Sequence, residues 1–180
     1  EMPEFSKSAL EVLRQPVEDG VVTISRVNST VRYPSDTTLI CAANPCKCGN
    51  YMDPGKECTC TPAQIRNYLE RLSGPLLDRI DIHVEVPSIR YEDLQTTRKA
   101  ESSRSIRKRV AEARKLQIER YRKYNIFSNS QLTSGLIKKF CRLDDKGQIL
   151  LKDAFEKLGL SARAYNKILK VSRTIADLDM

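Results

Sequence analysis

The run Leu39-Ile-Cys-Ala-Ala-Asn44 constrains this chain more tightly than any other stretch. From Thr38 to Ala43 it carries no charge, the composition of a strand in a parallel sheet covered on both faces. In open α/β sheets the ligand sits beyond the carboxyl ends of such strands. Asn44 then points at the ligand, or else it caps a turn ahead of Pro45. A second extended run follows Leu76-Leu-Asp-Arg79-Ile-Asp81: Ile80, Ile82, Val84 and Val86 alternate with Asp81, His83 and Glu85, as on an edge strand with one face partly exposed. Arg79 stands at its start. Either Asp78 and Asp81 hold it in a structural salt bridge, or it is free to stabilise transition-state charge as an arginine finger.

Shorter elements fill the space around these runs. Ala9, Leu10 and Leu13 give Ser6 to Arg14 a helical spacing that Pro16 and Asp19-Gly20 close. Val21–Ser25 and Thr30–Tyr33 are β-rich runs about Asn28-Ser29, a hairpin carrying Arg26 and Arg32. Those two arginines either touch phosphate or are ordinary solvated strand residues. Thr61-Pro-Ala-Gln64 is a capping box with a first-turn proline, so a helix begins at Pro62. Ile65, Tyr68, Leu69 and Leu72 form its apolar stripe, and Ser73-Gly74-Pro75 ends it.

Four of the six cysteines form two close pairs, Cys46-x-Cys48 and Cys58-x-Cys60, joined by a turn-rich loop. Paired thiolates in a reducing compartment suit tetrahedral zinc better than disulfides. The spacing is tighter than the usual Cys-x-x-Cys, which leaves an unmetallated thiol cluster as the alternative. Cys41 and Cys141 read as small buried apolar residues.

Beyond Pro87 the pattern becomes purely helical, placing a boundary near Ser88 to Thr97 and two domains at 1–90 and 91–180. A long helix from Arg98 to Tyr124 is expected to bury Ile106, Val110, Ala113, Leu116 and Tyr121. Eleven Lys and Arg side chains cover the rest, opposed by Glu101, Glu112 and Glu119. Such a face is either solvated or attracts nucleic acid through counterion release. Further helices are expected at Thr133–Phe140, Gln148–Leu158 and Ser161–Ala176, the last capped by Ser161 and carrying Arg163, which can reach a phosphate or a nearby carboxylate. The fold class is therefore α/β followed by an all-α part.

The net charge of +8 suits phosphates, on nucleotide or nucleic acid. No stretch approaches the roughly 18 apolar residues of a spanning helix, and the expectation is a soluble, cytoplasmic protein. Gly55-Lys56 is the only Gly-Lys pair and lacks the spaced glycine of a phosphate-binding loop. The opening Glu1-Met-Pro-Glu-Phe5 reads as a cut inside a longer protein.

Several strings occur together and in order: Glu4-Phe5-Ser6, Leu13-Arg-Gln-Pro-Val-Glu-Asp-Gly20, Ile24-Ser-Arg26, Ala43-Asn44-Pro45-Cys46, Leu72-Ser-Gly-Pro-Leu-Leu-Asp-Arg-Ile-Asp81 and Leu160-Ser-Ala-Arg163. Almost end to end, the chain resembles the magnesium-chelatase-like AAA+ ATPases, in particular their competence-associated bacterial DNA helicase branch.

The resemblance implies the carboxyl half of a P-loop core, with parallel strands and a β-hairpin, followed by a helical lid. Glu1 stands where the catalytic Glu of the Walker B motif would lie. Asn44 is similar to sensor 1, which orients the attacking water, Arg79 to the finger offered to a neighbouring subunit, and Arg163 to the sensor 2 arginine of the lid. Val21–Tyr33 resembles the hairpin that faces the central pore in helicases of this clade. ATP and Mg2+ would be its cofactors with structural zinc beside them, and DNA and a homo-oligomeric ring, such as a hexamer, its partners. Truncation is the main departure from the family. The rivals are a chelatase subunit that drives magnesium into porphyrin and a non-catalytic, zinc-stabilised nucleic-acid-binding module.

Overall fold

Side-chain caps decide where most helices of this chain begin. The computed structural model describes residues 1–89, 91–95 and 100–180, and the chain divides into two units, Glu1–Gln95 and Thr96–Met180.

In the first unit a 3-10 turn, Met2–Glu4, precedes α1 (Lys7–Val12), whose cap Ser6 accepts a hydrogen bond from the Ala9 N–H. The next helix, α2 (Arg14–Asp19), takes in Pro16, which was expected to close the previous segment. Proline is tolerated there because first-turn N–H groups have no partner within the helix. Gly20 ends α2 with φ 62°, a left-handed conformation that glycine adopts without strain. The strands β1 (Val21–Arg26) and β2 (Ser29–Pro34) then pair antiparallel, from Val21 opposite Pro34 to Arg26 opposite Ser29.

The helix α3 (Pro62–Leu69) opens with the expected reciprocal cap: the Thr61 N–H donates to Gln64 Oε1 at 2.9 Å, and the Gln64 N–H to Thr61 Oγ1 at 3.3 Å. Ser73 caps α4 (Gly74–Leu77), and α5 is Tyr91–Leu94. Met2, Leu10 and Leu76 form the buried centre, with Leu13, Leu72 and Ile80 against it.

The expected parallel strand and the expected edge strand do not form. Thr38–Ala43 is irregular, tied by a hydrogen bond from the Met2 N–H to the Ala42 carbonyl at 2.8 Å, and Ile40 is 89% exposed. Ile80–Val86 is likewise outside any ladder, with Ile82, Val84 and Val86 exposed. The sheet of the described residues is the β1–β2 hairpin. A parallel strand is complete only with neighbours on its edges and helices on its faces. Among the described residues no strand pairs with either run, so the pattern survives without the ladder. Cys41 is exposed for the same reason, whereas Cys141 is buried as expected.

The second unit is helical among its described residues. Ser102 caps α6 (Ser103–Tyr121), which starts later than expected; Arg98 and Lys99 lie outside the described residues. A 3-10 turn, Arg122–Tyr124, follows it. Then come α7 (Ser134–Phe140), α8 (Asp145–Leu158) and α9 (Ala162–Leu178). Asp144 and Ser161 cap α8 and α9, and Gly159 separates them in the left-handed region. Tyr121, Leu132, Ile137, Cys141, Leu151 and Leu169 form the core, with the Phe140 ring edge-on to Tyr121.

The buried line of α6 differs from the expected one: it is Ala113, Gln117 and Tyr121, while Ile106, Val110 and Leu116 remain exposed. What α6 packs against explains the shift. Asp177 of α9 is buried and receives both guanidinium nitrogens of Arg120, at 2.8 and 2.5 Å, and Arg173 at 3.0 Å. Asn129 Nδ2 and Gln117 Nε2 also donate to it, at 2.9 and 3.2 Å. A polar Gln117 is inside because a buried carboxylate needs donors. Burial pushes the Asp177 carboxyl up, but the hydrogen bonds from Arg120 and Asn129 and the charges of Arg120 and Arg173 outweigh it, holding the group down at about 2.

Candidate functional site

Glu1 and Asn44 are 43 residues apart in sequence and meet in space: Asn44 Nδ2 donates to Glu1 Oε1 at 2.9 Å. The bond from the Met2 N–H to the Ala42 carbonyl brings their two segments side by side. Both side chains are exposed, leaving the carboxylate open to a further ligand. Tyr68 of α3 is buried beneath them. Burial raises its phenol pKa, and the nearby carboxylates of Glu1 and Glu4 raise it further. The sequence showed Tyr68 only as one member of an apolar stripe.

The cysteines lie immediately beyond Asn44. Sγ–Sγ separations are 3.3 Å for Cys46–Cys48, 3.7 Å for Cys46–Cys58 and 3.6 Å for Cys48–Cys58, and all four sulfurs, Cys60 included, fall within 4.8 Å of one another. A tetrahedral zinc with bonds of about 2.3 Å sets its sulfurs about 3.8 Å apart. The donor set and spacing fit that ion. Gly49, at φ 81°, turns the loop after the first pair, and the Tyr51 N–H donates to Cys46 Sγ at 3.4 Å.

The four thiols are not equivalent. The Asn50 N–H and the Cys46 thiol hold Cys48 down at about 5. Burial opposes ionisation of Cys46, yet hydrogen bonds from the Tyr51 N–H and Cys58 bring it below the usual thiol range. At Cys58 a backbone hydrogen bond from Cys60 favours the thiolate, but burial and its bonds to Cys48 and Cys46 push it up to about 11. Cys60 is raised similarly. Two sulfurs are thus ready to ionise beside two that are not, and a bound dication would relieve the repulsion.

Arg79 is ion-paired to Glu18 of α2, 61 residues away in sequence, and its Nη1 donates to the Pro75 carbonyl at 2.5 Å. Its side chain is 12% exposed and Nε is buried without a hydrogen-bond partner. Sequence reading weighed only the adjacent Asp78 and Asp81 as partners, because a contact from α2 leaves no local signal. Arg26 and Arg32 are both exposed on the hairpin, with Arg32 opposite Thr23. Arg163 is exposed in the first turn of α9, in the other unit. The Asp177 cluster was also missed. An Asp at four residues from Arg173 on an otherwise apolar helix face was its only trace.

Comparison with known proteins gives this geometry a family. The profile for "Magnesium chelatase, subunit ChlI" matches residues 1–94, and that for "Magnesium chelatase, subunit ChlI C-terminal" matches residues 100–180. The chain is 45% identical over 179 residues to the competence protein ComM of Haemophilus influenzae, covering 99% of this chain and 34% of that protein. It is 41% identical over 180 residues to the protein YifB of Escherichia coli, covering 99% and 34%. A Mycobacterium bovis protein is 36% identical over 178 residues, with 99% and 35% covered. The chain thus spans about a third of the length of the curated relatives it matches. With its two parts matched in order by the two profiles, this chain belongs to the magnesium chelatase ChlI family, which is related to the AAA+ ATPases.

Proposed function

We propose that the chain is the carboxyl part of an AAA+ ATPase core with its helical lid, from a ring-forming, ATP-driven motor that acts on DNA in recombination or uptake. The contact between Asn44 and Glu1 carries this reading. An exposed carboxylate oriented by an amide is suited to accept a proton from an attacking water. Asn44 orients that water and Glu1 is the base.

Arg79 acts on the nucleotide of a neighbouring subunit, which requires it to exchange Glu18 for the charge that develops during phosphoryl transfer. Arg163 contacts phosphate from the lid. ATP and Mg2+ are the cofactors, and they supply the phosphoryl group and the charge that neutralises its oxygens. The phosphate-cradling loop is not in this sequence. Cys46, Cys48, Cys58 and Cys60 hold a structural zinc ion, and Arg26 and Arg32 face DNA. The name of the Haemophilus influenzae relative, a competence protein, supports a DNA substrate. A chelatase subunit would use the same residues with porphyrin metallation as the output.

The test is ATP turnover by a chain of the relatives' full length, with and without duplex DNA. Asn44→Ala should lower turnover by about 10²–10³-fold, the usual cost of one positioned donor, while leaving nucleotide affinity near its original value. DNA should stimulate the unaltered protein. Turnover unaffected by Asn44→Ala removes the sensor assignment, and turnover indifferent to DNA favours the chelatase reading.

A further inference from the structure

One flank of α6 is charged in a way that the rest of the helix is not. Arg104, Arg107, Lys108, Arg114, Lys115 and the following Arg122 are all exposed. At 3.6 residues per turn these six fall within an arc of about 120°. They line a stripe of about 27 Å at 1.5 Å per residue. The buried line of Ala113, Gln117 and Tyr121 flanks it on the arginine edge, with Ala113 farthest round the helix. Glu112 and Glu119 border the stripe on its lysine edge. Ala111 and Ile118 lie within it, and no carboxylate does.

The pairing of the arginines sharpens the contrast. The two within α6 that lie off this flank are both neutralised: Arg109 by Glu101 at 2.8 and 3.1 Å, and Arg120 by Asp177. Among the described residues no ion pair joins the six side chains of the stripe to a carboxylate. Within α6, arginine therefore pairs internally off this flank and is left to solvent along it.

We propose that this flank of α6 docks the phosphate backbone of duplex DNA, a surface additional to the β1–β2 hairpin; the inference rests on the DNA-motor reading. Four arginines among the six favour phosphate, whose oxygens accept bidentate guanidinium hydrogen bonds. A straight row of about 27 Å matches about eight base pairs of a stiff duplex. Single strands are bound by aromatic side chains interleaved with cations, and the stripe has none. A membrane-surface helix would need its apolar face free to enter lipid. Here the carboxyl half of that face is already buried, as Ala113 and Tyr121 show.

The experiment measures binding of a mixed-sequence DNA duplex to a chain of the relatives' full length between 50 and 200 mM salt. The altered protein carries Arg104→Gln, Arg107→Gln, Arg114→Gln and Arg122→Gln together. Each phosphate contact contributes about 0.9 to the slope of log affinity against log salt, so loss of four should reduce the slope by about 3.6. Affinity at 50 mM salt should fall at least tenfold, and Glu112→Gln with Glu119→Gln should strengthen binding. Melting temperature should change little, because these side chains are exposed. An unchanged slope, with DNA-stimulated ATP hydrolysis intact, overturns the stripe and leaves the motor reading standing. Loss of binding to phosphatidylserine vesicles with duplex binding unchanged also overturns it, and assigns the surface to lipid. If the unaltered protein hydrolyses ATP but binds no duplex, the motor reading falls and the stripe with it.

Discussion

In Thr96–Met180 a buried carboxylate ties α6, α9 and the Asn129 segment into one cluster. In Glu1–Gln95 two apolar extended runs lie open, and four thiols draw the ends of a loop together. The helical unit pairs its buried carboxylate with donors from within the unit. The other unit carries the Glu1–Asn44 pair, with the four thiols immediately beyond it. Asn44 lies two residues before Cys46, and α3, which places Tyr68 under Asn44, begins directly after Cys60 and Thr61. The cysteine cluster therefore adjoins both the Asn44 segment and the start of the helix that carries Tyr68.

The comparison breaks most visibly at the cysteine cluster. With Cys58→Ser, or on removal of metal by a chelator, amide-exchange protection in residues 44–69 should be lost, because ligand binding and local folding are one process in such sites. Residues 103–178 should keep theirs. Exchange read peptide by peptide checks this, and protection retained in 44–69 would mean that the thiols merely sit together.

The reverse alteration is Asp177→Ala, which strands Arg120 and Arg173 beside a buried cavity. Breaking such a pair costs about 3–5 kcal/mol. The melting transition of the helical unit should drop accordingly while protection at 44–69 stays. A loss below about 1 kcal/mol would place the cluster with ordinary surface pairs.

Acid gives the smallest effect. Asp177 has its folded pKa depressed to about 2, below the ordinary carboxylate value, so its contribution is present above about pH 4 and is lost as pH falls towards 2. A shift of about two units corresponds to stability on the order of 2 kcal/mol. Urea titration of the helical unit at pH 5 and pH 2 should differ by that amount more in the unaltered protein than in Asp177→Ala.

Local signals were legible in the sequence. The caps at Thr61 and Ser161, the hairpin and the cysteine spacing each rest on residues within a few positions of one another, and each is present. The strands over Thr38–Ala43 and Ile80–Val86 were inferred from apolar pattern, which states what a segment would bury but does not supply the neighbours that bury it. Glu18 as partner of Arg79, and Asp177 as hub for Arg120, are long-range pairings with no spacing rule. Gln117 went unseen because polar residues are ordinarily assigned to the solvent face of a helix. Asn44 was singled out from the end of an apolar run, and its bond to Glu1 came from the fold of the chain rather than from that strand.

Arg79 tests the account most directly, since one side chain is claimed both for a resting ion pair and for a neighbour's reaction. In a full-length ring, Arg79→Ala should abolish ATP hydrolysis, by about 10³-fold or more, with nucleotide binding nearly intact. Mixing those subunits with others mutated in the phosphate-cradling loop should restore part of the turnover, because each kind supplies what the other lacks. No recovery on mixing, together with unfolding of the Arg79→Ala protein, would instead make the ion pair with Glu18 the whole of what Arg79 does.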